Sequence, residues 1–353
     1  MSSSLSSLGF GPFFSSQLSL EELTTLLPGR AVADRGPRLL VRFAGGDRLV
    51  AVPARLRDTG EVPVVGDFLL AEPGEESVVV RVLERRSRLS RNAAGRQTAE
   101  QVLAANVDVV FAVQGLDEGP NPRRLERTLA AVHAGGAEPV IVLTKADVLG
   151  GPAAVEAALA EARAAAGGAE VLLASGLTGE GVAGLAARLA GGETGAFVGP
   201  SGAGKSTLVN ALLGTAAQPT AEVRAHDARG RHTTTGRALF ALPGGGAIVD
   251  GPGIRELRLW DGAGLERAFE DVVAAAAGCR FADCRHEGEP GCAVAAALAA
   301  GALDPARVES HAKLAREVAW QEARRDGAAQ RAQQQRWRVI HREARRFRKE
   351  RGR

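Results

Sequence analysis

The stretch Gly199-Pro200-Ser201-Gly202-Ala203-Gly204-Lys205-Ser206-Thr207 decides how this chain is read. It matches GxxxxGK[ST] in full, follows the apolar run Ala196-Phe197-Val198 and opens a helix-patterned segment from Leu208 to Leu213. Strand, loop and helix in that order are the setting a phosphate-binding loop requires. Its glycines let the backbone curl with N–H groups pointing inward, while Lys205 adds a point charge and Ser206 a hydroxyl for Mg²⁺. A glycine-rich loop that merely caps a helix is the plainer alternative. The loop alone does not say which nucleotide it holds.

Base recognition is read upstream. A strand ending in Thr144-Lys145-Ala146-Asp147 matches [NT]KxD. A carboxylate at that place can accept two hydrogen bonds from the guanine ring and its exocyclic amine, which adenine cannot offer, so Asp147 is the expected selector of GTP over ATP. Thr144 stands where Asn is usual, and its shorter hydroxyl is expected to support the loop less well. The next strand ends in Ala174-Ser175-Gly176, where the Ser175 backbone N–H could meet the guanine carbonyl; a plain strand-to-helix turn explains it as easily.

The γ-phosphate elements are read downstream. Gly230-Arg231-His232-Thr233-Thr234-Thr235 offers a threonine hydroxyl, Thr234 being favoured, to complete Mg²⁺ coordination when a γ-phosphate is present. A β-turn leading into a strand is the bland reading. Asp250-Gly251-Pro252-Gly253 follows an apolar strand, as DxxG demands: Asp250 can hold the Mg²⁺ hydration shell and the Gly253 N–H can sense the γ-phosphate. The next residue is Ile254, where many GTPases carry the glutamine that orients the attacking water. An isoleucine cannot hydrogen-bond water, and His232 is the nearest candidate in sequence for that task, against the commoner case of a solvated loop histidine.

The order of the motifs is itself informative. Base recognition precedes the phosphate loop, HTTT and DGPG, whereas ordinary GTPases run the other way; the chain reads as a circular permutation. The segment after DGPG then leads directly into a cysteine-bearing region, so a γ-phosphate signal could pass to it with little slack.

The chain has 353 residues, room for two or three domains, with 45% hydrophobic residues and a net charge of +3. It shows neither a long apolar run nor the basic start and apolar core of a secretory signal, which makes the cytoplasm the default and a membrane partner unexpected. All three cysteines fall in Cys279-x4-Cys284-x-His286-x5-Cys292. Three thiolates and an imidazole suit one tetrahedral, structural Zn²⁺, able to contribute on the order of 10 kcal/mol to folding that segment. Reactive or buried free thiols are the alternative.

Short alternating runs at Leu39–Phe43, Arg48–Val52, Asp67–Leu70 and Ser77–Val82, broken by turn signals, predict a small barrel, with an oligonucleotide-binding fold the leading candidate. After Asn106, strand–helix alternation predicts a mostly parallel sheet. The end of the chain, Arg336 to Arg351, is a basic helix interleaved with Trp337 and Phe347, suited to RNA phosphates or, alternatively, to a membrane surface. The expected division is a leader of uncertain order over 1–28, a barrel over 29–95, a permuted α/β P-loop GTPase domain over 96–262 and a helical zinc-binding domain over 263–353.

On these motifs the sequence resembles the bacterial ribosome small-subunit-dependent, circularly permuted GTPases. The likeness covers nearly the whole chain after the leader: barrel, Gln101 through Asn106-Val107-Asp108, the permuted TKAD–GPSGAGKST–HTTT–DGPG order, the zinc spacing and the basic tail. It implies a cytoplasmic GTPase, expected as a monomer, that binds the small ribosomal subunit late in maturation and is activated there. It further implies ribosomal RNA contacts through barrel and zinc domains, and it raises the standing of His232, which lies in the family's GRHTTT motif. Two rivals remain: a P-loop ATPase or small-molecule kinase, and a zinc-containing RNA-binding protein that uses GTP as a structural ligand.

Overall fold

The structure, a computed structural model, describes residues 5–92, 100–214, 236–251, 254, 257, 259, 262–323 and 327. His232, Thr234, Gly253 and the basic tail lie outside the described residues.

Five strands open the fold: β1 (Leu27–Arg35), β2 (Arg38–Phe43), β3 (Gly46–Ala51), β4 (Phe68–Ala71) and β5 (Val79–Val82). Period-2 alternation sends Leu39, Val41 and Phe43 of β2 inward against Ala31, Val50, Leu69 and Val79. β1 pairs antiparallel with β2 and β4, β2 with β3, and β4 with β5. A parallel bridge, Ala51 to Val78, brings the end of β3 to the start of β5, so the pairings run in a circuit 1-2-3-5-4-1. The hairpin β6 (Arg88–Asn92) and β7 (Glu100–Ala105) forms a separate two-stranded sheet.

The second half is built on β8 (Val109–Gly115), β9 (Glu138–Thr144), β10 (Glu170–Leu173), β11 (Thr194–Val198), β12 (Ala238–Ala241) and β13 (Ala247–Asp250). Their spatial order is β10-β9-β8-β11-β13-β12, all pairs parallel except β12 with β13. Counted from β11, this order reads 2-3-1-4-5-6 from the β12 edge. Strands β8, β9 and β10 therefore sit where they would if they had followed the Gly199–Thr207 loop in sequence, which is the permutation seen as geometry. Strands β8 and β9 are near-continuous apolar runs, as burial on both faces demands, and β11, Thr-Gly-Ala-Phe-Val, is buried throughout with smaller residues.

The two halves are not beads on a string. β12 also pairs with β1, through Ala33 and Ala238, so one eleven-stranded sheet runs from β10 to the barrel. A single apolar cluster holds Val32 and Val65 of the barrel side, Leu89 and Leu103 of the hairpin, and Val110, Val198, Val249 and Ile254 of the nucleotide-binding side. Leu8, 1% exposed, belongs to it as well. The leader is thus part of the core: it forms short helices at Leu5–Leu8, Pro12–Ser15 and Leu20–Thr25, the last capped by a Ser19–Glu22 capping box. Phe14 is buried against Phe68.

Arg30, 1% exposed, ties these parts together. Its guanidinium donates to the carbonyls of Leu8, Gly66 and Asn106, from the leader, the barrel side and the β7–β8 junction. Desolvation holds its pKa down to about 10, which still leaves it charged at neutral pH.

The C-terminal region packs helices Leu265–Ala268, Glu270–Ala276 and Ala293–Ala299 and a helix over 305–323 against the helices Pro122–Ala134 and Pro152–Ala165. At the joint, Arg307 donates to both carboxylate oxygens of Asp271, to Glu126 and to the carbonyls of Ala268 and Ala165. Arg123–Glu309 and Arg127–Glu317 pairs flank it.

Candidate nucleotide site and metal cluster

The phosphate loop runs from the end of β11 to the nine-residue helix Lys205–Leu213, whose N-terminus faces the loop. Unpaired N–H groups and the helix dipole make that end an anion site. Gly199, at φ 139°, passes so close to β8 that a Cβ would stand 2.2 Å from the Val113 carbonyl. Gly204 caps the helix in the left-handed region. Lys205 is 6% exposed, with its ammonium donating to the carbonyls of Gly199 (2.8 Å) and Pro200, so the charge lies inside the curl formed by Pro200, Ser201, Gly202 and Ala203. Ser206 and Thr207 follow in the first helical turn, half-buried, where a hydroxyl can reach a cation bound beside the phosphates.

Thr144 ends β9 and is 3% exposed. Its hydroxyl lies 2.8 Å from the Ala203 carbonyl and donates to it, joining the base-reading strand directly to the phosphate loop. The shorter side chain thus makes the supporting contact that its length had put in question. Lys145 follows in the left-handed region at φ 59°, and Asp147 lies exposed in the 3₁₀ turn Ala146–Val148.

At the turn after β10 the Ser175 N–H donates to the Glu180 carbonyl at 2.8 Å, and the Ser175 hydroxyl accepts from the Thr178 N–H, so both groups close their own turn. Gly176 has the more telling position. A Cβ there would stand 2.6 Å from the backbone of Thr207, so only glycine lets this turn rest on the phosphate helix. Nothing in the local sequence marks that contact; it arises from the packing of two distant turns.

Asp250 ends β13, is 5% exposed and accepts from the Gly251 N–H at 2.7 Å. Ile254 is fully buried among Val249, Val198, Leu239 and Leu8, so the residue after DGPG fills the core and presents nothing to a water molecule.

The cysteine window folds into a compact cluster. Ligand atoms of Cys279, Cys284, His286 and Cys292 all lie within 4.8 Å of one another, with His286 Nδ1 at 3.7 Å from Cys279 Sγ and 3.4 Å from Cys292 Sγ. Ligands about 2.0–2.3 Å from a tetrahedral centre are separated by such distances, so these four residues could hold a zinc ion. Ala293 N–H donates to Cys279 Sγ and Ala295 N–H to Cys292 Sγ, the outer contacts that stabilise thiolates. The Val294 amide first, then that of Ala293, hold the Cys279 thiol below its ordinary range, whereas desolvation pushes Cys284 up to about 11.

Comparison with known proteins agrees with this geometry. The model of the RsgA GTPase family matches residues 82–260. A protein of Opitutus terrae named small ribosomal subunit biogenesis GTPase RsgA is 42% identical over 354 residues, covering 96% of both chains. One of the same name from Methanosarcina acetivorans is 44% identical over 84% of this chain and 81% of its own. Among solved structures, YjeQ from Thermotoga maritima superposes with a TM-score of 0.63 at 24% identity, over 83% of this chain and 98% of its own. YloQ, described as a circularly permuted GTPase, gives 0.62 at 22% identity over 83% of this chain and 95% of its own. At those identities the superpositions speak for the fold. The family match and the long, highly identical relatives go further: the chain belongs to the RsgA GTPase family and is a GTP-hydrolysing enzyme.

Proposed function

We propose that this GTPase acts in biogenesis of the small ribosomal subunit, binding the subunit late in its maturation and hydrolysing GTP in response to it. The observation that carries the reading is the burial of Ile254: the place from which many GTPases orient water is spent on the core, so fast turnover needs a group brought into place by a partner. His232, two residues before Thr234 in the HTTT run, is the group we assign to that task. The name of the Opitutus terrae relative, small ribosomal subunit biogenesis GTPase RsgA, supports the small subunit as that partner.

In this reading Asp147 selects guanine, Thr144 and Lys145 hold the turn that presents it, and the Gly199–Thr207 loop cradles the phosphates with Lys205 as counter-charge. Mg²⁺ held by Ser206 and Thr234, with Asp250 holding its hydration shell and Gly253 at the γ-phosphate, would neutralise charge developing on the transferred group. One structural zinc at Cys279, Cys284, His286 and Cys292 orders the C-terminal region. The strand circuit 1-2-3-5-4-1 supports an oligonucleotide-binding barrel over 29–95. With the permuted domain over 96–262 and the zinc-binding domain and basic tail over 263–353, it would place RNA-binding surfaces on either side of the nucleotide. In this reading the protein works in the cytoplasm as a monomer; among the described residues no helix is long and apolar enough to cross a membrane.

Single-site turnover measured with and without purified small subunits tests the proposal. Stimulation of about tenfold or more is expected, together with its loss in Lys205→Ala. Equal rates with and without subunits would overturn the activation reading, and phosphate release surviving in Lys205→Ala would overturn the assignment of the site.

A further inference from the structure

The motif that reads the base is held by a residue outside it. β8 and β9 end in register, Gly115 beside Thr144, and each strand then enters a 3₁₀ turn, Leu116–Glu118 and Ala146–Val148. Between Thr144, bonded to the phosphate loop, and Asp147, exposed at the site, the backbone passes through Lys145 at φ 59°. For a non-glycine residue that conformation costs about 1 kcal/mol or more and persists where surrounding contacts enforce it. The contact is visible: Lys145 Nζ donates to Asp117 Oδ2 at 2.5 Å.

Asp117 belongs to the first turn, not to TKAD, and the fold makes room for it. A Cβ on Gly115 would stand 2.4 Å from Asp117 Oδ1 and 3.5 Å from Lys145 Cδ, so any larger residue there would drive the carboxylate off the lysine. Independently, the hydrogen bond from Lys145 is the largest influence on the Asp117 carboxyl and holds it below the ordinary carboxylate range. The Asp117 carboxyl is therefore ionised at neutral pH.

We propose that Asp117 is a positioning residue for guanine recognition: by holding the Lys145 ammonium it fixes the left-handed turn that aims Asp147, without touching the nucleotide itself. The inference rests on the assignment of Asp147 as the base reader. Because both partners are part-exposed, 34% for Lys145 and 40% for Asp117, the expected effect is modest and salt-sensitive.

The test is binding of a fluorescent GDP analogue to the full-length protein and to Asp117→Ala and Asp117→Asn. Both variants should bind about threefold to fivefold more weakly, with KM for GTP rising in parallel while kcat changes by less than about twofold. Asp117→Glu should recover part of the loss, and the gap from wild type should narrow in about 1 M salt. Asp147→Asn, assayed with GDP and xanthosine diphosphate, is the control, since an amide can donate to the xanthine carbonyl where a carboxylate cannot. If Asp147→Asn leaves base preference unchanged, the base-reader assignment falls. If it shifts preference while the Asp117 variants bind GDP like wild type at every salt concentration, the positioning role of Asp117 alone is overturned.

Discussion

Thr144 shows how one hydroxyl can couple two halves of a binding site. Its bond to the Ala203 carbonyl is buried, so removing the hydroxyl leaves that carbonyl without its donor. Thr144→Val is close to isosteric and should weaken GDP binding about threefold to tenfold, while Thr144→Ser should stay near wild type; titration with a fluorescent GDP analogue checks both. His133 offers a pH prediction. Desolvation first, and the charge of Arg267 second, lower its pKa to about 4 from 6.5. The unfolded chain therefore binds more protons than the native one between those values. His133 contributes stability above about pH 6.5 that is lost as pH falls toward 4. Acid unfolding followed by circular dichroism should be less steep in that window for His133→Phe than for wild type.

At the same scale the sequence was informative where chemistry is local and silent where it depends on approach. The Gly199–Thr207 loop and the clustering of Cys279, Cys284, His286 and Cys292 are legible because their residue types and spacings have few other uses. Gly176 and Asp117 are not, since each acts on a segment far from it in sequence. The hydrogen bond by which the Ser175 amide closes its own turn cannot be seen in three letters of sequence.

Among elements, the helix Pro122–Ala134 has the broadest role. Its Asn121 side chain caps it by accepting from the Arg124 N–H, close after the turn that carries Asp117, and its flank receives the C-terminal region through Arg123, Glu126 and Arg127. The direct covalent route from DGPG to the cysteines had suggested that the C-terminal region listens to the γ-phosphate. The docking contacts show that it is also seated on the base-reading half. Burial raises the Glu126 carboxyl, and Arg307, 5% exposed, is the charge that faces it. Arg307→Ala leaves the Glu126 carboxylate with Ser310 but without its opposing charge, strips a donor from the Ala268 and Ala165 carbonyls, and should cost about 3–5 kcal/mol in urea unfolding. The pair Arg307→Met with Glu126→Leu should cost markedly less, because no uncompensated charge remains. The helices Pro122–Ala134 and Pro152–Ala165 each begin with Pro in the first turn, a start signal that is legible in sequence. β1, β6 and β7 were missed: Pro28, Gly29 and Arg30 break the strand pattern of β1, and a buried arginine looks like a surface one until its acceptors are known.

For the whole molecule, the leader is the unexpected part. The sequence left its order uncertain, and in the structure Leu8 and Phe14 are buried and the Leu8 carbonyl accepts from Arg30. Removing residues 1–18 would expose Phe68 and strip one acceptor from a buried guanidinium. The truncated protein should melt several degrees lower and expose apolar surface, measurable by thermal unfolding and dye binding. The class of fold, with its central parallel sheet and phosphate loop, was readable from motifs. The fusion of barrel and nucleotide-binding sheet was not, because the pairing of β1 with β12 leaves no mark in either strand.

That pairing also sets an order of events during synthesis. Ala33 leaves the ribosome on the order of two hundred residues before Ala238, so the β1 edge must wait for its neighbour while the intervening chain is made. An open strand edge is a template for wrong partners. Chains cut short before residue 238 therefore leave bare the Ala33 end of β1, beyond the Leu27–Arg30 part that β4 already covers, until β12 closes it.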